Sequence, residues 1–432
     1  MTKTNIINEK DFIFDLIPNS GFCEYYNNRA EVEFEDYNYE IDLSGQVYFK
    51  TKHDLYRLDD YGISFEKDGL TGLIDNFGKI IIHPEYQHIL TPLRAGNNYS
   101  FCSNGKWGLI DRTGKIKVPA IYDGEFEYLE NNYYIAYTMD GDGVIDENGN
   151  IILPFKYYDC SISLWNIQKD KFTALKNETK KCGVVNLKNE TVIPFMYDWI
   201  ERCFTKGKYK DCSIANLNDK EGIINQHNEV IIPFIYEYIK TMSDDTFLIC
   251  KNEGESEYIV DSDFNQISDK KFLEIARGYD YITTDYFIAS LDDENKEGLI
   301  DKYGNTIIDF KYKDLSMIEN PNNKLDFYLY AKNDNDKYGL IDDNDNIILP
   351  FEFDDYSAFR IDNDNIAVLV KDGKYGVINI KNKNVIVDFI FDTIYPFDNK
   401  NATLAKYKGK WGAINKQGES ISFDLENVKE IV

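Results

Sequence analysis

The hydrophobic and polar positions of this chain follow a short pattern that predicts β-hairpins. Residues 108–111 are mostly aliphatic, Arg112-Thr113-Gly114 follows, and a second apolar–polar alternation runs to Val118. Asp-x-x-Gly between two such runs predicts a type I turn followed by a residue in the left-handed region. We expect Asp111 to accept a hydrogen bond from the turn backbone and Gly114 to supply the positive φ.

A second turn signal lies upstream of this hairpin. Asn104-Gly105 and Asp372-Gly373 are typical of two-residue turns in which both residues have positive φ. They join a strand such as residues 366–370 to the strand that carries an aromatic residue and a glycine, which predicts a meander of three or four strands. Where the later turn lacks its glycine, asparagine, the next best left-handed residue, replaces it at Asn189, Asn228 and Asn382.

This pattern recurs along almost the whole chain. The glycines that lead the repeats are Gly72, Gly108, Gly143, Gly183, Gly222, Gly298, Gly339, Gly376 and Gly412. Their spacings are 36, 35, 40, 39, 76, 41, 37 and 36 residues, and a degenerate copy at residues 258–267 divides the spacing of 76. A second degenerate copy, at residues 39–47, precedes the first clear one. The chain is therefore predicted to hold about eleven repeats of roughly 37 residues.

The leading glycine follows a position that is aromatic in part of the repeats. This aromatic is Trp107, Tyr338, Tyr375 or Trp411, and Thr71, Asp142, Cys182, Glu221 and Glu297 replace it elsewhere. A glycine inside a strand pattern predicts a bulge or a close backbone approach. We expect a bulky β-branched residue at Gly108 to cost about 1–3 kcal/mol through strain. Downstream, Pro154, Pro194, Pro233 and Pro350 are predicted to lie at strand ends or edges.

These motifs resemble the WG-repeat family of bacterial proteins, which are also called KWG repeats. The residues that carry the resemblance are GKWGLID at 105–111, GKYGVIN at 373–379 and GKWGAIN at 409–415, with Lys337-Tyr338-Gly339 close to them. The resemblance covers roughly residues 37–425. It implies an array of β-repeats and does not imply a defined biochemical role.

Two all-β architectures are open to such a chain. Propellers close with about four to eight blades, whereas an open array of stacked meanders accepts any number of repeats. Eleven repeats favour the open, superhelical or solenoid-like array, and one or two β-propellers are the alternative. Residues 1–36 are predicted to form an N-terminal cap, residues 37–425 the array and residues 426–432 a C-terminal tail. One short helix is predicted at residues 269–277.

Charge and composition restrict the partners. The chain has 75 acidic and 48 basic residues and a formal net charge of -27, which argues against nucleic acid and anionic membranes as partners. Since no apolar stretch reaches about 18 residues and the first residues hold no signal peptide, we expect a cytoplasmic protein without membrane insertion. The seven cysteines form no CxxC pair, which predicts reduced thiols rather than disulfides or zinc.

No combination of residues predicts catalysis or a cofactor. His83 and His88 are five residues apart with a proline between them, which does not fit a metalloprotease helix. The aspartate-rich turns that start at Asp261, Asp342 and Asp362 lack the glycine and the glutamate of a calcium loop, so weak cation binding is the most that they predict. We therefore expect no metal, no cofactor and no enzymatic activity.

The leading functional prediction is a monomeric scaffold that binds a protein partner, favoured to be basic because of the charge. Aromatic residues in the variable segments are the candidate anchors, since aromatics dominate interface energies. They are Tyr128, Trp165, Trp199 and Phe359. Alternatively, these rings complete the core between repeats. Two other functions stay open, which are neutralisation of a basic toxin or nuclease, and glycan-active catalysis if the array closes into a propeller.

Overall fold

The computed structural model describes residues 7–14, 29–59, 61–91, 98–129, 131–157, 163–165, 170–176, 178–252, 256–276, 285–291, 296–320, 327–355, 361–397, 400–426 and 428–431. The chain divides into two compact units. The terminal lobe comprises Met1–Lys52 and Ser256–Val432, and the middle lobe comprises His53–Glu255. Apart from a 3-10 turn at Glu9–Asp11, every helix or strand in these ranges is a β-strand, which confirms the all-β prediction.

The middle lobe contains five four-stranded antiparallel sheets and one further hairpin, and the strands of each sheet pair in chain order. The sheets are β4–β7, β8–β11, β12–β15, β16–β19 and β20–β23. The strands are β4 (Leu55–Arg57), β5 (Gly62–Lys67), β6 (Leu70–Asp75), β7 (Ile80–Tyr86), β8 (His88–Leu90), β9 (Asn98–Ser103), β10 (Lys106–Asp111), β11 (Ile116–Tyr122), β12 (Glu127–Leu129), β13 (Tyr133–Thr138), β14 (Gly141–Asp146), β15 (Ile151–Tyr157), β16 (Ser163–Leu164), β17 (Lys171–Leu175), β18 (Cys182–Asn186), β19 (Thr191–Tyr197), β20 (Trp199–Ile200), β21 (Cys212–Leu217), β22 (Lys220–Asn225), β23 (Val230–Tyr236), β24 (Tyr238–Thr241) and β25 (Thr246–Cys250).

The terminal lobe is built from the same meanders. Its sheets are β1–β3, β27–β30, β31–β34, β35–β37 and β38–β41. The strands are β1 (Arg29–Phe34), β2 (Tyr37–Asp42), β3 (Val47–Thr51), β26 (Tyr258–Asp261), β27 (Phe272–Ala276), β28 (Tyr286–Leu291), β29 (Glu297–Asp301), β30 (Thr306–Tyr312), β31 (Asp314–Glu319), β32 (Phe327–Lys332), β33 (Tyr338–Ile341), β34 (Ile347–Phe353), β35 (Ile366–Lys371), β36 (Lys374–Asn379), β37 (Asn384–Phe391), β38 (Thr393–Ile394), β39 (Ala402–Tyr407), β40 (Lys410–Asn415) and β41 (Ser420–Ile421). The prediction of three or four strands is confirmed for these sheets and for those of the middle lobe.

The predicted helix at residues 269–277 is wrong, because Phe272–Ala276 forms strand β27 and pairs with β28. The register shifts between Phe272 and Glu274, which marks a bulge. This extra residue lets Phe272 and Ile275 both be buried although they are three positions apart. A bulged strand thus imitates the spacing of one face of a helix.

The predicted turn chemistry is confirmed. The Gly114 amide donates to the Asp111 carbonyl oxygen at 2.9 Å, and the Asp111 carboxylate accepts from the amides of Thr113 and Lys115 at 2.9 and 3.0 Å. Left-handed residues follow at Gly114 (φ 86°), Asn189 (φ 60°) and Asn228 (φ 63°). The third predicted asparagine is an exception, since Lys383 adopts the positive φ in place of Asn382. The turn there is one residue longer.

The leading glycine lies opposite a bulge, as predicted. Trp107 pairs with Tyr122 and Leu109 pairs with Val118, so three residues of β11 face Gly108 alone. A Cβ atom at Gly108 would lie 2.5 Å from the Val118 carbonyl oxygen, which leaves no room for a side chain. The other leading glycines in clear repeats, from Gly72 to Gly376, face the same bulge.

The prolines lie within these bulges rather than at strand ends. Pro154 falls between Leu153 and Tyr157, the residues that flank the bulge of β15. The prediction of an edge position is correct, because β15 is the outermost strand of its sheet. An edge bulge accepts proline since no ladder hydrogen bond is lost there.

The first and last sheets of the chain share one hydrophobic core within the terminal lobe. Val32 and Ile41 of the first sheet belong to the same buried cluster as Leu404 and Trp411 of the last. The segment Asp11–Phe14 also joins the last sheet, since the amide of Phe14 donates to the carbonyl of Trp411 at 3.1 Å and the amide of Trp411 to the carbonyl of Phe14 at 2.9 Å.

These contacts correct the predicted domain ends. Within the region predicted to form a separate cap, Phe14 pairs with Trp411 of the last sheet and residues 29–34 form β1 of the first sheet. The predicted tail pairs with β3, where the Lys50 amide donates to the Lys429 carbonyl at 2.9 Å. The open array is wrong in placing the first and last repeats apart as caps, because these two repeats share a core within the terminal lobe.

Candidate partner-binding surface

Trp165, one of the four predicted anchors, is a core residue. Its side chain is 1% exposed and belongs to a cluster with Val184, Ile193 and Tyr197. Its indole N–H donates to the Ser213 hydroxyl at 2.8 Å, which satisfies the one polar atom of the buried ring. The prediction of an anchor at Trp165 is therefore wrong, and the alternative that the ring completes the core is correct.

Tyr128 and Trp199 lie in the first strands of their sheets, β12 and β20. Tyr128 is half-buried and packs edge-on against Tyr134, with ring centroids 5.3 Å apart. Trp199 is also half-buried and lies opposite Asn216 in the ladder. Phe359 lies outside the described residues. Trp199 thus remains partly exposed, whereas Tyr128 packs against the core cluster that contains Tyr134.

We name the first strands β8, β12, β20 and β24 of the middle lobe the first-strand surface. β8, β12 and β20 end their sheets, so each has a backbone edge that no strand of its sheet pairs with. β12 and β20 hold three and two residues, and short edge strands resist uncontrolled pairing between chains. Side chains such as Trp199, rather than long runs of backbone, are therefore what this surface offers to a partner.

The last strands carry exposed aliphatic residues that the sequence interpretation missed. They are Ile116, Ile121, Ile151, Val230, Ile235, Ile347, Val385 and Ile390. For Ile121, Ile235 and Ile390 the signal was the x of Pro-Phe-x-Tyr, since neighbours along a strand face opposite sides. Ile121 is 60% exposed and Tyr122 is 6% exposed. Bulges and prolines interrupt these edges, which disfavours the addition of a further strand.

Ion pairs recur at the hairpin tips. The lysine lies two residues before the leading glycine, and its acidic partner follows the buried aromatic of the last strand. The pairs are Lys106–Asp123, Lys181–Asp198, Lys220–Glu237, Lys337–Asp354 and Lys374–Asp392. The Lys337 ammonium group, which donates to the carboxylate, lowers the pKa of Asp354.

The same carboxylates also bind the next hairpin. Asp123 accepts from the Met139 amide at 2.8 Å, and Asp198 accepts from the Asn218 amide at 2.8 Å. Asp123 and Asp198 therefore each connect a lysine of their own sheet with the turn of the following one. These lysines are engaged in holding neighbouring repeats together.

The position before the leading glycine has two structural solutions. In two of the repeats where it is aromatic, the ring stacks on a tyrosine that precedes it in the chain: Trp411 lies 5.5 Å from Tyr395 and Tyr338 lies 5.2 Å from Tyr330, both at an interplanar angle of 9°. Where it is glutamate, the carboxylate accepts from a backbone amide 18 residues further on. These bonds are Glu221 to Ile239 at 2.7 Å, Glu257 to Ile275 at 3.0 Å and Glu297 to Leu315 at 2.5 Å.

Burial gives one of these glutamates an unusual charge state. Removal of the carboxyl group from water raises the pKa of Glu221 to about 7, although the Ile239 amide acts in the opposite direction. The sequence showed only that the aromatic was missing. In all three repeats the backbone amide that donates to the glutamate lies 18 residues further along the chain, and this constant spacing was the sequence signal for the hydrogen bond.

Buried tyrosines connect each last strand with the turn of the next repeat. The Tyr197 hydroxyl donates to the Asn228 side-chain oxygen at 2.7 Å, and Tyr312 donates to Asp345 at 2.6 Å. Both acceptors have positive φ. Asparagine and aspartate at this turn position therefore serve two purposes, because they accept the left-handed backbone and also bind the preceding repeat.

The aspartate-rich turns use their carboxylates internally. Asp261 accepts from the amides of Asp263 and Asn265 at 2.8 and 2.9 Å, and Asp362 accepts from the amides of Asp364 and Ile366, both at 2.9 Å. Among the described residues, no three metal-ligating side chains come together. The five cysteines in the described ranges are free thiols. Within those same ranges, no helix is long and apolar enough to cross a membrane.

A family model described as "WG containing repeat" matches seven segments of the chain. They are residues 72–107, 107–141, 143–162, 183–220, 222–254, 338–375 and 375–411. Together they span more than half of the sequence. A comparison with curated proteins gives no match.

Solved structures with a similar chain path share little sequence with this protein. A crystal structure of the eukaryotic initiation factor is 11% identical, with 75% of this chain and 94% of that chain covered and a TM-score of 0.40. The dihydro-heme d1 dehydrogenase NirN in complex with DHE is 10% identical, with 84% and 77% covered and a TM-score of 0.33. BamB from Moraxella catarrhalis is 10% identical, with 60% and 86% covered and a TM-score of 0.27.

Proposed function

The chain belongs to the family of WG-containing repeat proteins, and we propose that it is a non-enzymatic scaffold that binds a basic protein partner. The observation that carries this proposal is the surplus of 75 acidic over 48 basic residues. In the recurring ion pairs each lysine already neutralises one carboxylate, so these pairs leave the surplus in place. A large negative field attracts basic partners and accelerates their association at low salt.

We place the contact on the first-strand surface, with Trp199 as its anchor. Trp199 is half-buried, and Glu201, two residues further on, is exposed. An aromatic face beside a carboxylate suits lysine and arginine, because the ring attracts the cation and the carboxylate pairs with it. The exposed aliphatic residues of the last strands, such as Ile235, have no aromatic ring that could attract a cation and serve as a matched control.

The test is a pull-down with the tagged full chain from a lysate of its native host, washed at low and then at high salt and analysed by mass spectrometry. We expect a stoichiometric basic protein that high salt removes, because screening weakens charge attraction. Trp199→Ala should reduce its capture, and Ile235→Ala should not. A bait that retains no protein, or a partner whose binding does not respond to salt or to Trp199→Ala, contradicts the proposal.

A further inference from the structure

The last repeat does not contain its own closing segment. Other repeats end in Pro-Phe-x-Tyr or a close variant, as β37 does at Asp388-Phe389-Ile390-Phe391. In the last repeat, β41 consists only of Ser420–Ile421, and the sequence that follows departs from the motif. Trp411 and Gly412 would therefore lack the strand that covers the corresponding residues elsewhere.

The missing segment is present at the other end of the chain. Residues 11–15 read Asp-Phe-Ile-Phe-Asp, which is identical to residues 388–392. Phe14 pairs with Trp411 as Phe391 pairs with Tyr375 in the preceding repeat. The N-terminal segment thus takes the place of a last strand although Phe14 and Trp411 are almost four hundred residues apart.

The contacts of the two copies correspond closely. A Cβ atom at Gly412 would lie 2.8 Å from both the Asp11 carbonyl oxygen and the Phe12 ring, and one at Gly376 would lie 2.8 Å from the Phe389 ring. Phe12 is buried, with its ring 5.8 Å from Phe391 and 5.7 Å from Tyr407. The segment is therefore packed as tightly as a strand that is continuous with its sheet.

Polar contacts fix the register of the borrowed segment. The hydroxyl groups of Ser420 and Ser422 donate to the Asp11 carboxylate at 2.6 and 2.8 Å. Both serines belong to the segment that starts with β41, at the point where the last repeat lacks its own strand. The slot that this segment occupies in the last repeat therefore binds a carboxylate, two aromatic rings and an extended backbone.

We propose that this slot, formed by Trp411, Gly412, Ser420 and Ser422, is a peptide-binding site for an Asp-Phe-aliphatic-Phe segment, and that the N-terminal segment of a second copy of the chain can fill it. Main-chain pairing supplies affinity and the side-chain pockets supply specificity, as in other cases of strand addition. Only residues 15–28 separate Phe14 from β1. Such a tether gives the chain's own segment an effective concentration in roughly the millimolar range, so it competes strongly with free copies.

The test uses the full chain with a specific protease site inserted between residues 15 and 28. After cleavage, a fluorescent peptide of residues 7–15 is added and its anisotropy is measured. We expect one peptide to bind per cleaved chain, and to bind the uncleaved chain at least about tenfold more weakly because of the tether. Asp11→Ala in the peptide should weaken binding, and a peptide of residues 384–392, which carries the same five residues, should compete.

A second arm does not depend on cleavage. The full-length variant with Phe12→Ala and Phe14→Ala keeps its chain intact but weakens its own segment, so the peptide should bind it and raise its melting temperature, with no such effect on the wild type. The proposal is overturned if a scrambled peptide binds equally well, or if the added peptide never replaces the N-terminal fragment that the protease has cut off. It is also overturned if the Phe12→Ala, Phe14→Ala variant is unfolded and the peptide does not restore its fold.

Discussion

Two copies of the same four residues, 11–14 and 388–391, occupy equivalent places in the terminal lobe by different routes. Residues 388–391 lie within β37, whereas residues 11–14 reach the last sheet from the opposite end of the chain. Phe391 and Phe14 are both 0% exposed. The comparison teaches that the sequence of the closing segment, and not its covalent connection, determines how it docks against the aromatic residue and the glycine.

The largest expected effect comes from the two buried phenylalanines. Phe391→Ala should lower the free energy of unfolding by about 3–5 kcal/mol through lost burial and a cavity. Phe14→Ala should lower the free energy of unfolding by a comparable amount. This loss cannot exceed the free energy with which the whole segment binds to the last repeat, because a segment that is weakened further detaches. Denaturant unfolding measures both. Ile390→Ala, at an exposed position of the same motif, is the control, and a Phe14→Ala chain as stable as wild type would refute the equivalence.

The glycines that face the two kinds of closing strand come next. Gly108→Val and Gly412→Val should each cost about 1–3 kcal/mol, because the new side chain meets backbone atoms of the opposing segment. Gly105→Asn provides the control, since open space surrounds this turn glycine and asparagine accepts its positive φ. A melting temperature of Gly105→Asn that is lower than that of Gly108→Val or Gly412→Val would contradict this interpretation of the bulge.

The position before the glycine distinguishes repeats by pH. The pKa of Glu221 is raised from 4.5 to about 7 by burial. Between these two pH values the Glu221 carboxyl group therefore keeps its proton in the folded chain and releases it in the unfolded chain. This contribution to stability is complete below pH 4.5 and is lost as the pH rises through 7. Glu221→Gln keeps an acceptor for the Ile239 amide but has no charge to bury. Above pH 7 its free energy of unfolding should therefore exceed that of wild type by about 1–2 kcal/mol.

Unfolding of this variant and of wild type across the pH range checks the expectation. The difference between them should grow between pH 4.5 and 7 and then remain level. A difference that is constant with pH would mean that Glu221 does not hold its proton in the folded chain. The last repeat has no corresponding step, because Trp411 takes the place of the glutamate and stacks on Tyr395.

The smallest expected effect concerns the tyrosine hydroxyl. Tyr197→Phe removes the hydrogen bond to Asn228 and should cost about 0.5–1.5 kcal/mol. The borrowed strand has Phe14 at this position and has no such bond to lose. A double-mutant cycle with Asn228→Gly measures the coupling, since glycine keeps the positive φ. Zero coupling energy would show that the bond does not connect the two repeats.

Local chemistry made the repeats predictable from the sequence. The turns at Asp111–Gly114 and the bulge opposite Gly108 follow from residues within a few positions of each other. Trp165 was misassigned because a variable segment gives no period from which its burial can be inferred. The second copy of Asp-Phe-Ile-Phe-Asp at residues 11–15 was visible, but its partner glycine lies at the far end of the chain, so no local pattern linked them.

Native-state hydrogen exchange at Phe14 and Trp411 tests most directly whether the N-terminal segment closes the last repeat. The two amides exchange hydrogen bonds with each other's carbonyls, so both should be protected to about the same degree as the amides of Tyr375 and Phe391 in the preceding repeat. Deletion of residues 1–14 should abolish the protection at Trp411 and leave that at Tyr375. A Phe14 amide that exchanges as fast as an unstructured peptide would contradict the account.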